Sequence, residues 1–221
     1  MATGKKVLTF GYADHCFVQI LEERANEILL KVDCTVMLVS CPFTSSAKAL
    51  NVAASVAVAW ALQIPRENIL QGLSQFQGTP RRFQEFMWDQ TPAIDDAFNA
   101  SPESLYAGLQ ELRKISENKK VLLVLGSMLE LDQETESAHR KVAHDVKELF
   151  SASASISLAT VGLEAAFIAD EWQRLGVSED PAKVYATSEA AAELRTLRQN
   201  FDLVYFKGSK SLQLQKIFGE L

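Results

Sequence analysis

The first forty residues contain short segments in which apolar residues dominate or alternate with polar ones, a pattern typical of β-strands. We predict strands in the segments KVLTF, EILLKV and CTVMLVS. Asp33 separates the last two segments, and aspartate is a residue type that forms tight turns. This part of the chain is therefore predicted to begin with strands.

Two helices are predicted after these strands. The segment SSAKALNVAASVAVAWALQI is rich in alanine and other small residues, and Ser45 or Ser46 can supply its N-cap. The segment PRENILQGLSQF follows, with Pro65 in the first helical position that proline favours. Residues 78–80, Gly-Thr-Pro, then end the helical pair.

From about Arg82 onward, predicted strands and helices alternate. The predicted strands are TPAID, KKVLLVLG, SASISLATVG, KVYAT and FDLVYFKG. The predicted helices run from Pro102 to Ser116, Thr135 to Phe150, Leu163 to Leu175, Ser188 to Arg198 and Lys210 to Phe218. This alternation predicts an α/β fold with a mainly parallel sheet and helices packed on it. We therefore divide the chain into segments 1–79 and 80–221.

Composition narrows the class of protein. Of the 221 residues, 48% are hydrophobic and 23% are charged, which is ordinary for a globular protein and indicates neither a disordered nor a fibrous chain. The formal net charge of -6 argues against nucleic acid or an anionic membrane as partner. No apolar run has the length of a signal peptide core or a membrane span, so we expect a cytoplasmic protein.

Cysteine and histidine spacing gives no sign of a metal site. Cys16, Cys34 and Cys41 are odd in number and form no CxxC motif, which favours reduced thiols over disulfides or zinc ligands. His139 and His144 lie five positions apart, whereas ligands on one helix face are three or four apart.

The segment AIDDAFNASPESL places two acids where a predicted strand meets a predicted helix. Ser101 is a favoured N-cap and Pro102 suits the first helical position. Asp95 and Asp96 therefore fall at the carboxyl end of a strand, which is the edge where open α/β sheets bind ligands. On this segment alone, we favour the alternative that they only form a tight turn.

Nucleotide-binding motifs are missing from the sequence. It contains neither GxGxxG nor GxxxxGK[ST]. The segment FKGSKSL does follow a predicted strand, and Lys207 or Lys210 could bind one anionic group there. The alternative is a simple turn into a helix that Ser209 caps.

Five segments resemble the Mur ligases, in the order in which the family carries them. IDDAFNASPESLYAGLQEL resembles DDSYNANPxSMxAAL, and VLLVLGSMLELDQETESAH resembles VLGDMxELGxxSxxxH. FKGSKSLQLQKIF is similar to VKGSRSxxME, FQGTPRRF to FxGxxRRF, and ALNVAASVAVAWAL to NxLAAxAxA. The matches extend from Leu50 to Phe218, so the resemblance covers most of the chain.

The resemblance implies an ATP-dependent ligase of peptidoglycan precursor synthesis that uses Mg²⁺. In this family a central domain binds ATP, and a Rossmann-like carboxyl-terminal domain closes over it. ATP phosphorylates the carboxylate of a UDP-muramoyl peptide, and the amine of an amino acid or dipeptide, here D-alanyl-D-alanine, attacks the acyl phosphate. Segment 1–79 would be the end of the central domain, and segment 80–221 the carboxyl-terminal domain.

The resemblance also implies roles for individual residues. Asn51 would lie on the adenine side, Arg82 would reach the phosphates, and Asp96 would contact the ribose or orient the closed domain, while Asp95 supports the turn. The positions on the substrate side are Asn99, Ser101, Ser127, Glu130, His139, Lys207, Ser209 and Lys210. His139 could instead pack against the loop before its helix, and Glu130 could be a solvated acid.

Several family features are absent from this sequence. The phosphate loop GTxGKT, the glutamate that holds magnesium, and the histidine and modified lysine of the central domain have no counterpart here. SSAK replaces GxHN before the alanine-rich helix, and Phe98 replaces a tyrosine. Ser101 replaces an asparagine and Ser127 an aspartate, which affects the substrate or metal contacts of that loop.

Three hypotheses follow. The chain is part of an amide-forming ligase that needs a separate ATP-binding domain, or it is a non-catalytic relic that binds nucleotide or muramoyl peptide. The third hypothesis is a stand-alone enzyme of another reaction class, because a fold alone does not fix a function. We expect the chain alone to bind nucleotide weakly and to catalyse no ligation, since nothing in it positions the γ-phosphate.

Overall fold

The computed structural model describes residues 7–24, 26–40, 46–76, 78–150, 155–178 and 180–219, without the side chains of residues 46, 47 and 190. The chain divides into two compact units, Met1–Gly78 and Thr79–Leu221. Each unit has its own sheet. The predicted caps Ser45 and Ser46, as well as Cys41, lie outside the described residues or side chains.

The first unit is a four-stranded sheet with two helices. Its elements are β1 (Phe10–Gly11), β2 (Val18–Arg24), β3 (Glu27–Val32), β4 (Thr35–Ser40), α1 (Ser46–Ala61) and α2 (Arg66–Ser74). The strands lie in sequence order, β1-β2-β3-β4. Alternate residues of β2, β3 and β4, such as Ile20, Leu30 and Met37, form one core with the small buried residues of α1.

The sequence predicted most of these elements. EILLKV and CTVMLVS form β3 and β4, and Asp33 makes the turn between them with a left-handed φ of 53°. The prediction for KVLTF is wrong over Val7–Thr9, because only Phe10 and Gly11 pair as a strand, and Lys6 lies outside the described residues. The strand β2 was not predicted from the sequence. Pro65 precedes the first turn of α2 instead of occupying it.

The second unit is a six-stranded α/β unit. Its elements are β5 (Gln84–Trp88), β6 (Thr91–Asp95), α3 (Pro102–Ile115), β7 (Lys120–Gly126), α4 (Thr135–Phe150), β8 (Ser155–Val161), α5 (Ala166–Leu175), β9 (Lys183–Tyr185), α6 (Leu194–Leu197), β10 (Leu203–Lys207) and α7 (Gln215–Phe218). The strand order is β5-β6-β10-β7-β8-β9. All neighbouring strands are parallel except β5, which pairs antiparallel with β6. The predicted α/β class with a mainly parallel sheet is confirmed.

Three predicted helices differ from the observed ones. The helix predicted from Leu163 begins at Ala166, after Gly162 with a φ of 101°. The segment predicted as a helix from Ser188 to Arg198 contains only the short α6, flanked by 3₁₀ turns with bonds such as Ala192 N–H to Glu189 O. The predicted helix from Lys210 is interrupted at Gln213, whose left-handed φ of 52° cannot continue a right-handed helix.

The parallel strands bring their carboxyl ends, and the loops that follow them, to one edge of the sheet. Residues that alternate along β7 belong to two different core clusters, Leu123 in one and Leu122 in the other, so both faces of the sheet are covered. β10 lies between β6 and β7, and its carboxyl end therefore meets theirs. Here Gly208 approaches Gly126 so closely that a Cβ at Gly208 would lie 2.8 Å from the Gly126 Cα.

Candidate functional site

Asp95 stabilises the turn at the end of β6. Its Oδ1 atom accepts a hydrogen bond from the Ala97 N–H at 2.9 Å, and its Oδ2 atom lies 3.3 Å from Arg81 Nε. Burial raises the pKa of Asp95, although the Ala97 N–H and the Arg81 guanidinium act in the opposite direction. Asp95 therefore has the turn-supporting role that the sequence predicts.

Asp96 is held by three donors. Its Oδ2 atom accepts hydrogen bonds from the Lys207 ammonium at 2.8 Å and the Tyr205 hydroxyl at 2.9 Å. Its Oδ1 atom accepts a hydrogen bond from the Phe83 N–H at 3.0 Å. The side chain is 14% exposed, so the carboxylate is fixed in orientation but reaches the surface of the sheet edge.

Lys207 is committed to the loop after β6. Only 3% of its side chain is exposed, and its ammonium also lies 3.4 Å from the carbonyl oxygens of Asp96 and Asn99. These contacts use the donors of the ammonium group within the protein. Of the two lysines that could bind an anion at this edge, only Lys210 is exposed.

Arg82 and Lys210 lie over the ring of Phe98. The Arg82 Cζ atom is 4.4 Å from the ring centre, and the Lys210 Nζ atom is 5.5 Å from it. Both cations are exposed and Phe98 is half-buried. Among the described residues, neither cation forms a salt bridge, so this is a local positive area on an acidic chain.

Ser127 lies at the end of β7 and is fully buried. Its N–H donates to the Val161 carbonyl at 3.0 Å, its carbonyl accepts from the Ser209 N–H, and its hydroxyl oxygen accepts from the Ala165 N–H at 3.1 Å. Two hydrogen bonds lower the pKa of Glu164: the larger effect comes from its own backbone N–H and the smaller from the Ser127 hydroxyl. Ser127 thus joins the loops after β7, β8 and β10.

His139 is buried in the first half of α4. Its Nε2 atom accepts a hydrogen bond from the Met128 N–H at 2.9 Å, and its Nδ1 atom lies 2.6 Å from the Thr135 carbonyl oxygen. Those partners assign the proton to Nδ1 in a neutral ring, and burial lowers the pKa of His139. Direct contact with a substrate would require one of these bonds to break.

The remaining positions that the sequence analysis predicts on the substrate side differ in exposure. Ser209 makes no helix-capping bond, contrary to the alternative from the sequence, and its hydroxyl oxygen instead accepts from the Leu129 N–H at 3.0 Å. Ser101 does cap α3, in a reciprocal pair with Ser104. Asn99 and Glu130 are exposed at the sheet edge. Ser101, Ser127, His139 and Ser209 therefore shape the loops, while Asn99 and Glu130 have free access to solvent.

Asn51 belongs to the first unit. It lies on α1 with an exposed side chain, and its carbonyl oxygen accepts a hydrogen bond from the Ser55 hydroxyl at 2.8 Å. Its adenine-side role stays a prediction.

The described residues contain no group of three or more histidine, cysteine or acidic side chains that could hold a metal ion. Within the same residues, Cys16 and Cys34 are free thiols. No helix among them combines the length and the apolar character that crossing a membrane requires.

The comparisons with known proteins agree with one another. Residues 81–210 match the family described as Mur ligase, glutamate ligase domain. The UDP-N-acetylmuramoyl-tripeptide–D-alanyl-D-alanine ligase of Bacillus subtilis is 29% identical over 184 residues, which are 81% of this chain and 39% of that protein. The chain thus spans about two fifths of this relative's length.

Solved structures share the fold. A MurF structure from Acinetobacter baumannii has a TM-score of 0.78 at 24% identity, covering 95% of this chain and 46% of that one. MurF from Thermotoga maritima, solved in complex with ADP, has a TM-score of 0.70 at 19% identity and covers 95% of this chain and 47% of that one. Because the family match covers more than half of the chain, this protein belongs to the Mur ligase family.

Proposed function

We propose that the chain is part of an ATP-dependent ligase of peptidoglycan precursor synthesis. The reaction adds an amino acid or dipeptide, with D-alanyl-D-alanine as first candidate, to a UDP-muramoyl peptide. Family membership and the name of the Bacillus subtilis relative support the substrate class. The observation that carries the proposal is the pair of exposed cations, Arg82 and Lys210, beside the fixed carboxylate of Asp96 at the ligand-binding edge of the sheet.

The domain assignment is part of the proposal. Residues 1–79 correspond to the end of the central domain, and residues 80–221 to the Rossmann-like carboxyl-terminal domain. Each segment has its own sheet and its own core, which supports this division. Asn51 of the first segment would contact the adenine. A phosphate loop supplied by an ATP-binding domain, in the same or a separate chain, would complete the nucleotide site.

The reaction has two balanced steps. A carboxylate oxygen of the muramoyl peptide attacks the γ-phosphorus of ATP, and the bond to ADP breaks. The amine nitrogen of the incoming group then attacks the acyl carbon, phosphate leaves, and the amine releases its proton. Charge develops on phosphate oxygens in the first step, so guanidinium and ammonium groups at the phosphates lower its barrier.

Individual residues serve these steps in different ways. Arg82 binds phosphate oxygens with its planar fork of donors, and Asp96 accepts hydroxyl hydrogens of the ribose. Lys207 holds Asp96 in place. Asn99 and Glu130 face the incoming substrate, and Ser101, Ser127, His139 and Ser209 fix the loops that carry them.

Mg²⁺ is expected with ATP, since the ion neutralises the phosphates in such reactions. The described residues offer no set of three ligands for it. The glutamate that holds magnesium in the family has no counterpart in this sequence, so we assign the ligands of the ion to the ATP-binding domain.

The proposal can be tested with a chimaera. The 221-residue chain replaces the segment of the Bacillus subtilis relative that it matches, and ligation of D-alanyl-D-alanine to a UDP-muramoyl tripeptide is measured by mass spectrometry with ADP release. We expect product, and a loss of roughly tenfold to a hundredfold for Arg82→Gln, since a charge-assisted contact contributes about 1.5–3 kcal/mol. Lys120→Gln, at the opposite edge of the sheet, is the matched control.

The outcomes separate the three hypotheses. Nucleotide or muramoyl-peptide binding without product from a folded chimaera would favour a non-catalytic binding protein. Turnover by the 221-residue chain alone would favour a stand-alone enzyme of another class.

A further inference from the structure

The segment before β5, the loop after β6 and the end of β10 together carry more positive than negative charge: Arg81, Arg82, Lys207 and Lys210 against Asp95 and Asp96. Two ion pairs are internal to this region, Arg81 with Asp95 at 3.3 Å and Lys207 with Asp96 at 2.8 Å. Asp95 and Asp96 therefore each have their own cation. Within the described ranges, Arg82 and Lys210 are left without an acidic partner.

Phe98 brings these two cations together, although they come from distant parts of the chain. The distances of 4.4 Å and 5.5 Å to one ring centre keep the two charged groups less than about 10 Å apart. An aromatic face attracts a cation without neutralising it. Arg82 and Lys210 are thus held near each other and keep their full charge for a ligand.

The backbone around the ring is fixed. The Phe98 N–H donates to the Arg81 carbonyl at 3.1 Å, which joins the loop after β6 to the segment that carries Arg82. On the other side, the Ser209 N–H donates to the Ser127 carbonyl at 3.1 Å, which places the residue before Lys210. The ring and both cations therefore project from anchored positions.

We infer that Phe98 is a positioning residue that holds Arg82 and Lys210 as one two-cation site for the phosphate chain of a nucleotide. This inference rests on the proposed function and deepens it. It adds Phe98 to the site and moves Lys210 from the substrate side to the phosphate side. A polyphosphate carries several charges along its length and can contact both cations, whereas one guanidinium fork suffices for a single carboxylate. Because the chain carries a net charge of -6, polyphosphate binding is confined to such a local positive site.

The test measures the binding of inorganic triphosphate to the 221-residue chain. Binding is monitored by NMR through the side-chain signals of Arg82 and Lys210. We expect saturable shifts at both side chains. Phe98→Leu should weaken binding by about threefold to tenfold, since both cation–ring contacts are lost, and Phe98→Tyr should restore it. Arg82→Gln and Lys210→Gln should each weaken binding, and Lys120→Gln at the opposite edge should not.

Melting curves of every variant show whether it is folded, so a change in affinity can be assigned to the site. The inference is overturned if folded Phe98→Leu binds triphosphate like the unchanged chain, if Lys210→Gln has no effect, or if triphosphate gives no saturable shift. It is also overturned if D-alanyl-D-alanine shifts these signals and triphosphate does not. Ligation by the chimaera is measured separately, so a failure of this inference can be distinguished from a failure of the proposed function.

Discussion

Lys207 donates a hydrogen bond to the Asp96 carboxylate over 2.8 Å while only 3% of its side chain is exposed. The ion pair joins the end of β10 to the loop after β6, and Tyr205 donates to the same oxygen atom. Asp96 therefore compensates a buried charge, besides any role in ligand binding. Its removal affects the stability of the second unit as well as function.

Asp96→Ala should lower the free energy of unfolding by about 3–5 kcal/mol, because it leaves the buried Lys207 ammonium without its counter-ion. Urea unfolding of the 221-residue chain measures this loss. The matched control is Asp96→Ala combined with Lys207→Met, which removes both charges and should recover much of the stability. An unchanged urea midpoint for Asp96→Ala alone would show that the pair contributes nothing to folding.

Gly108 allows α3 to approach the same network. A Cβ at this position would overlap the Tyr205 hydroxyl and lie 2.9 Å from Asp96 Oδ2. Replacing glycine with alanine inside a helix ordinarily stabilises by roughly 0.5–1 kcal/mol. We expect Gly108→Ala to have the opposite sign, a loss of about 1–3 kcal/mol from overpacking.

Two further variants make this prediction specific. A Cβ added at Gly72 in α2 has no atom within 4 Å apart from its chain neighbours and the backbone of its own helix, so Gly72→Ala should stabilise the chain as alanine ordinarily does in a helix. Adding Tyr205→Phe to Gly108→Ala removes the overlapping hydroxyl and should recover part of the loss. Thermal melting of these variants is the measurement, and a Gly108→Ala variant as stable as Gly72→Ala would contradict the prediction.

Local patterns sufficed for the role of Asp95 but not for that of Asp96. Asp95 bonds the N–H two residues ahead, a contact that the turn chemistry of aspartate predicts. Tyr205 and Lys207 are two positions apart in a strand, so the sequence places them on one face. Their contact with Asp96 depends on β10 lying beside β6, and such a strand order cannot be predicted from local periodicity.

The two missed strands have physical reasons as well. β2 ends in the exposed residues Leu21–Arg24, and this charged half breaks the alternation that identifies a strand. β5 consists of QEFMW and follows a glycine–proline break, where the sequence reads as a loop. Pairing with β3 and β6, respectively, stabilises these segments as strands. Long periodic segments such as α4 were predicted with their observed bounds, since their own pattern determines them.

His139 should make stability depend on pH. Burial lowers its pKa in the folded chain below the ordinary value of 6.5, so below pH 6.5 the unfolded chain binds a proton that the folded chain does not. The stability that the neutral ring contributes is complete above pH 6.5 and decreases as the pH falls towards the folded pKa. Unfolding midpoints between pH 8 and pH 5 measure this slope.

The control for this prediction is a second histidine. His139→Gln should be less stable than the unchanged chain at pH 8, and its unfolding midpoint should depend less on pH. His15→Gln changes an exposed position and should show the same dependence on pH as the unchanged chain. An identical slope in the unchanged chain and His139→Gln would show that another group is responsible.

Limited proteolysis should leave a fragment that contains the second unit, Thr79–Leu221. Its sheet is covered on both faces by core clusters, whereas the buried apolar residues described in the first unit form one cluster. Segments with fewer buried apolar contacts open and are cleaved first. Mass spectrometry of a thermolysin digest should therefore show cleavage within the first unit or near Gly78, and a stable carboxyl-terminal fragment should remain.

Hydrogen exchange on the uncut chain gives an independent measure, with faster exchange expected for β3 than for β7. Survival of a fragment from the first unit alone would contradict the prediction.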